Sequence, residues 1–308
     1  MAKEVNVVYP AHQGKRVVHY KGPEGTVWLS SKQDRSMPNV FTSWYACPNP
    51  RPDDSLIMLE PVVVHQQDYK IEYLNKFKKV FGCFNKAFVN TDIADKYVKV
   101  NYGSILAYED PDALKKRWMS WKDRKNGMLV VSSSKTSNHK CSIYMLREQL
   151  ADLFHAEGFE VAWYGGIPGK KRKKYFKGRL EDKIGEICKY RFHICPENTY
   201  DEKFSYNYFT EKLPHAIYGG AVPLYMGCYN VEQFAPENTF FDLRKYITKE
   251  PNARVNIDRS GLLKAIREYS EMDFETYQKA AYDYLKDPKG LMFQTDMRRY
   301  YKKMLEVL

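Results

Sequence analysis

The chain has 308 residues, 44% hydrophobic, 28% charged and 15% aromatic, a globular balance that excludes a disordered or fibrous protein. Its formal net charge of +11 fits surface lysines alone, or an anionic partner such as nucleic acid, a membrane surface or a phosphorylated small molecule. No apolar run reaches the ~18 residues of a membrane span, and the start, MAKEVNVVYP, enters a strand-like run without a signal peptide; a soluble, cytoplasmic protein is expected.

In chain order, Val5–Tyr9 and Thr26–Ser30 read as strands, and Leu56–Leu59 is a third that ends on Glu60-Pro61. Tyr69–Phe77 has helical spacing, with Ile71, Leu74 and Phe77 on one side, and Val80–Phe84 returns as a strand. Residues 10–55 are otherwise rich in Gly, Pro and Asn, and no elements are assigned between those already named. The second half is more regular. Met128–Ser132 is an apolar strand ending in three serines, Ile143–Glu157 is a helix stopped by Gly158, and Phe159–Tyr164 is a strand broken at Gly165-Gly166. Leu180–Lys189 reads as helix and Arg191–Ile194 as strand. A helix opens near Thr210–Lys212 and stops at Gly219-Gly220, Ala221–Met226 is the next strand, and helices follow over 259–271, 273–285 and 292–307.

Repeated βα units of this length imply parallel sheets covered on both faces. Two sets in tandem make an α/β chain with two Rossmann-like domains facing a cleft. The expected division lies in the polar stretch Tyr108–Asn126: 1–124 as an acceptor-side domain, and 125–308 as a donor-binding domain with the terminal helices.

Six cysteines, Cys47, Cys83, Cys141, Cys188, Cys195 and Cys228, form no C-x-x-C pair and no Cys/His cluster of zinc spacing. They read as reduced thiols. The richest segment is Tyr190–Gly227, where Glu197, Asn198, Tyr208, Glu211 and Lys212 crowd the passage from a strand to a helix. Polar groups at such a junction are the usual address of a phosphate-bearing ligand. Taken alone, Glu211-Lys212 reads first as a helix cap followed by a surface lysine.

The order Tyr190-Arg191-Phe192, Glu197-Asn198, Tyr208-Phe209-Thr210-Glu211-Lys212, Gly220-Ala221-Val222-Pro223, Gly227 resembles the donor-binding signature of the α1,3-fucosyltransferases, carbohydrate glycosyltransferase family 10. Phe240–Leu243 and the Ser132–Ser134 strand end fall where that family has its next strand and the opening of its donor domain. SLIMLEP and the segments after it are similar, more weakly, to the acceptor-domain strands. The resemblance implies a GT-B type fold and an inverting, metal-independent transfer of L-fucose from GDP-fucose to a glycan hydroxyl. It assigns Glu60 as the base and Ser133, Lys140, Glu197, Asn198, Tyr208, Glu211 and Lys212 to the donor. Lys140 stands where the family has an arginine, and lacks its bidentate fork. Pro196 replaces an aromatic, and Thr199–Asn207 is longer than usual; both are expected to flank the donor sugar, so another deoxyhexose or a pentose donor stays open.

Other signals are weaker. Asp110-Pro111-Asp112 matches a D-x-D metal motif but sits in the connector, where turn and cap chemistry suffices. Gly169–Arg179 carries seven basic residues around Tyr175 and Phe176, which fits a nucleic-acid binder or a solvated loop beside a nucleotide cleft. No nucleic-acid partner is expected. His65 and His193 lie near the proposed site segments and read as packed or solvated.

Overall fold

In a computed structural model, the residues described are 3–9, 16–42, 47, 49–58, 60–84, 89–100, 110–133, 135–166, 173–250, 254–272, 274–287, 290 and 297–308. The chain forms two compact units. One comprises Met1–Ala107, Asp201–Tyr208 and Gln294–Leu308; the other comprises Tyr108–Tyr200 and Phe209–Phe293.

The strands of the first unit are β1 (Lys3–Val8), β2 (Val17–Gly22), β3 (Gly25–Ser30), β4 (Asn39–Phe41), β5 (Ser55–Ile57), β6 (Val80–Gly82) and β7 (Tyr97–Lys99), with a helical turn α1 (Ile71–Leu74) between β5 and β6. They form one sheet in the order β2-β3-β1-β4-β5-β6-β7. It is parallel except for β2, which pairs antiparallel to β3 at the edge. Alternation along the strands feeds two cores. Val40, Ile57 and Phe81 pack on one side with Tyr300, Tyr301, Met304 and Leu305 of the C-terminal helix. Phe41, Leu56 and Val80 pack on the other with Tyr73, Leu74 and Phe77.

Two strands, β2 and β4, lie within residues 10–55 where none was assigned. β2 is largely exposed, so it carries no apolar signal. β4 has only three residues, all buried, and is held by polar chemistry instead. Asn6 Nδ2 donates to Asn39 Oδ1 at 2.8 Å, Asn39 Nδ2 to Asp54 Oδ1 at 3.2 Å, and Arg51 pairs with Asp54 at 3.0 Å. β5 begins at Ser55, directly after Asp54.

The second unit contains α2 (Pro111–Lys116), β8 (Lys125–Val131), α3 (Leu146–Ala156), β9 (Glu160–Tyr164), β10 (Phe176–Gly178), α4 (Lys183–Ile187), β11 (Tyr190–Ile194), α5 (Lys212–Tyr218), β12 (Val222–Tyr225), β13 (Phe241–Asp242), the antiparallel pair β14 (Ile247–Lys249) and β15 (Val255–Ile257), α6 (Arg259–Glu271) and α7 (Phe274–Lys286). The last helix, α8 (Met297–Val307), belongs to the first unit. The main sheet is parallel throughout, in the order β10-β9-β8-β11-β12-β13. Counted within the unit this is 3-2-1-4-5-6, the doubly wound order, and its topological switch point lies between β8 and β11.

β10 lies inside the basic run read as a loop. The residues before Lys173 fall outside those described. From Lys173 on, the run is tied down: Lys173 pairs with Asp152 at 2.9 Å and Glu148 at 3.3 Å, and the buried Tyr175 donates to Asp152 at 2.8 Å. Asp110 caps α2 by accepting from Asp112 N, with Pro111 in the first turn. Asp112 pairs with Lys286 at 3.5 Å. The D-x-D string is cap chemistry here. All six cysteines are buried thiols. Among the described residues, no helix is long and apolar enough to cross a membrane.

Arg124 anchors the entry to the second sheet. It is buried, and its guanidinium donates to the carbonyls of Met119 at 3.1 Å, Tyr190 at 3.2 Å and Gly219 at 3.0 Å. Gly220 adopts φ +63°, and an added Cβ would lie 2.6 Å from Trp118 and 2.9 Å from Arg124. Arg124→Ala leaves three carbonyls without their charged donor, at a cost of about 3 kcal/mol. The first thermal transition is expected to fall by roughly 6–12 °C by circular dichroism; a shift under 2 °C would show that the anchor is dispensable.

Candidate functional site

The switch point of the second sheet gathers four of the side chains that the sequence singled out, Glu197, Asn198, Glu211 and Lys212. Glu197 follows β11 and is fully buried. Its carboxylate accepts from Thr210 N at 2.7 Å, from the Thr210 hydroxyl at 2.8 Å and from the Lys212 ammonium at 3.2 Å. Lys212 Nζ also donates to Thr210 Oγ1 at 2.9 Å and lies 3.7 Å from Glu211. Glu197 therefore folds the turn before α5 and seats Lys212. Gly227 permits this, since a Cβ there would lie 2.2 Å from Glu197 Cγ.

Asn198 is held on two sides. Its carbonyl accepts from Ile143 N at 3.1 Å, and its Oδ1 from Arg147 Nη2 at 2.7 Å. Among the described residues nothing accepts from its Nδ2, so the amide is available to a ligand oxygen. Arg147, in the first turn of α3, was not singled out by the sequence. It is buried and spans the switch point: Nη1 donates to Ser132 Oγ at 3.0 Å, at the end of β8, and Nε to the Pro196 carbonyl at 2.8 Å, after β11. Burial pushes its pKa down, while the Glu197 and Glu211 carboxylates support its charge. The signal was present, because Arg147, Leu150, Ala151 and Phe154 share the apolar stripe of α3. A guanidinium in that stripe requires buried acceptors.

Ser133 and Lys140 are exposed in the segment between β8 and α3. The cation seated beside Asn198 is Arg147. Tyr208 lies elsewhere. The segment Asp201–Tyr208 belongs to the first unit, where Tyr208 is buried in the core with Tyr73, Leu74 and Phe77. The longer turn goes with it: Phe204 packs edge-on against Tyr69 of that unit, ring centroids 5.7 Å apart.

Glu60 is in the first unit, past the carboxyl end of β5 and half-buried. Its main-chain carbonyl accepts from the Tyr69 hydroxyl at 3.1 Å. Tyr69 also lines a cavity of 190 Å³, with Met58, Phe84, Asn90, Lys203 and Phe204 among others; Glu60 itself is not in its lining. His65 lies 3.4 Å from the buried Asp68. His193 is buried within β11, and burial together with the nearby Lys183 charge holds its imidazole neutral.

Residues 121–256 match the model of Glycosyltransferase family 10 (fucosyltransferase) C-term, so the signature read over Tyr190–Gly227 is borne out. A fucosyltransferase-like protein of Arabidopsis thaliana is 28% identical over 115 residues, 37% of this chain; the match spans only 20% of that relative's length. The fold is similar to crystal structures of an alpha1,3-fucosyltransferase with GDP-fucose (15% identity, TM-score 0.52, 99% of this chain and 90% of that one) and of an alpha-glucosyltransferase with UDP (9% identity, TM-score 0.55, 86% and 80%). The fold is of the GT-B type, with a Rossmann-like sheet in each unit.

Burial alone would raise the Glu211 carboxyl, but the charges of Lys212 and Lys183 lower it from 4.5 to about 2. A depressed folded value contributes stability above the unfolded value, and that contribution is lost as pH falls through the folded one. Wild type is therefore expected to lose stability between 4.5 and about 2 more steeply than Glu211→Gln. Urea unfolding across acid pH tests this; parallel curves for the two proteins would disprove the cationic setting of Glu211.

Proposed function

We propose that this chain, whose residues 121–256 carry the family 10 C-terminal domain, is an inverting glycosyltransferase that moves L-fucose from GDP-fucose to a glycan hydroxyl. The observation that carries the reading is the cluster of Lys212, Arg147 and Asn198 around Glu197 at the switch point of an all-parallel sheet. This is where such folds bind nucleotides. The seated cations suit a diphosphate, and the Asn198 Nδ2 and the Glu211 carboxylate suit phosphate and sugar oxygens. Ser133 and Lys140, exposed next to this point, are assigned to the periphery of the donor. Tyr208 is retained only as a residue of the signature.

In the proposed reaction the acceptor hydroxyl gives its proton to the Glu60 carboxylate. Its oxygen forms the bond to the anomeric carbon from the face opposite the diphosphate. The bond to phosphate breaks, and GDP leaves with the electron pair. Positive charge at Lys212 and Arg147 stabilises the leaving group without an obligatory metal. The position of Glu60 past the carboxyl end of a strand in a parallel sheet, with its carbonyl bonded to Tyr69 of a 190 Å³ cavity, supports an acceptor role for the first unit.

Thermal-shift screening with nucleotides tests the donor: GDP is expected to stabilise the protein, and stabilisation by UDP alone would replace the fucose reading with another nucleotide sugar. Glu60→Gln is expected to cut transfer by about 10²–10⁴ while GDP affinity stays within about twofold, as a uniform-binding role would not predict. Near-normal turnover by that variant would remove Glu60 as the base.

A further inference from the structure

A second lysine stands beside the cluster. Lys183 opens α4 and is half-buried. Its ammonium lies within electrostatic range of Glu211, Lys212, Cys195 and Glu197, and in turn acts on His193 and His215. Yet among the described residues no acceptor hydrogen-bonds it and no carboxylate pairs with it. The adjacent Asp182 is committed elsewhere: it accepts from Gly185 N at 2.9 Å and pairs with Arg117 at 2.9 Å. Glu197 is spent on Thr210 and Lys212.

The surroundings are also unsatisfied. Among the described residues, neither ring nitrogen of His193, 1% exposed, has a hydrogen-bond partner, nor does Nδ1 of His215, 8% exposed. Buried polar nitrogens without partners are uncommon and call for an explanation, and these belong to two residues on which the Lys183 charge acts. Three cations (Lys183, Lys212, Arg147) meet two carboxylates (Glu197, Glu211) here, which leaves an excess positive charge. Burial penalises the Lys183 ammonium and Lys212 repels it, so its charged form lacks a full counter-ion.

We propose that the Lys183 ammonium binds a phosphate oxygen of the nucleoside diphosphate, as a third cation of the site beside Lys212 and Arg147. This assignment rests on the donor reading above. An anion placed between Lys183 and Lys212 removes their mutual repulsion and supplies the missing acceptor. The histidines, held neutral, add hydrogen-bonding capacity without further charge.

The test is calorimetric titration of full-length wild type, Lys183→Met, Lys183→Arg and Lys212→Ala with GDP, UDP and guanosine. Lys183→Met should weaken GDP about tenfold, leave guanosine unchanged and reduce the salt dependence of GDP binding. Lys183→Arg should restore most of the loss. A merely structural lysine would weaken GDP and guanosine together, and that outcome overturns the assignment. If Lys212→Ala loses GDP while Lys183→Met keeps it, only the Lys183 role falls. If wild type and Lys212→Ala bind GDP equally, or wild type binds neither GDP nor UDP, the donor reading fails and this inference with it.

Discussion

The passage from β11 into α5 depends on one buried carboxylate. Glu197 has no exposed surface and accepts from Thr210 and Lys212 at once. An ionised carboxylate in such a place is tolerated only when it is paired and hydrogen-bonded. That requirement fixes the geometry of the turn into α5. Thr210 must present both its N–H and its hydroxyl, Lys212 must fold back over it, and position 227 must lack a side chain. The lysine is thereby oriented before any ligand arrives, which reduces the ordering cost of binding.

Arg147 does for the switch point what Glu197 does for the turn. In a doubly wound sheet, the strands on either side of the reversal send their following segments in different directions, and a crevice opens between them. A single guanidinium reaches both rims, taking Ser132 on one and Pro196 and Asn198 on the other. The planar fork can serve three acceptors in fixed directions, which an ammonium cannot. The crevice is thus held open and polar by the same group that adds positive charge to it.

The elements legible in the sequence were those with a long apolar signature. β8, α3, β9, β11, α5 and β12 each show runs or stripes that survive inspection of the letters alone. β4 and β10 were not legible. β4 is three residues long and depends on the Asn6–Asn39–Asp54 bonds between distant segments, and β10 hides inside a basic run whose charges are absorbed by α3. At the site, the sequence singles out Glu197 and Lys212, but their mutual pairing at 3.2 Å is not readable from it. Arg147 was passed over because a helix with strong apolar spacing invites attention to its apolar residues. The arginine in the same stripe was the residue needing explanation.

The segment Asp201–Tyr208 changes where the variable part of the signature acts. Read linearly, the long turn between Asn198 and Thr210 belongs beside the donor sugar. In three dimensions its residues are part of the first unit. Phe204 packs on Tyr69, Lys203 and Phe204 line the same cavity as Tyr69, and Tyr208 is buried in that unit's core. The two ends of the turn, by contrast, are fixed in the second unit by the Ser142–Thr199 bridge and by the Glu197–Thr210 bonds. The lengthened turn therefore lies with the first unit's cavity, while the bonds that hold Asn198 and Lys212 are made outside Asp201–Tyr208.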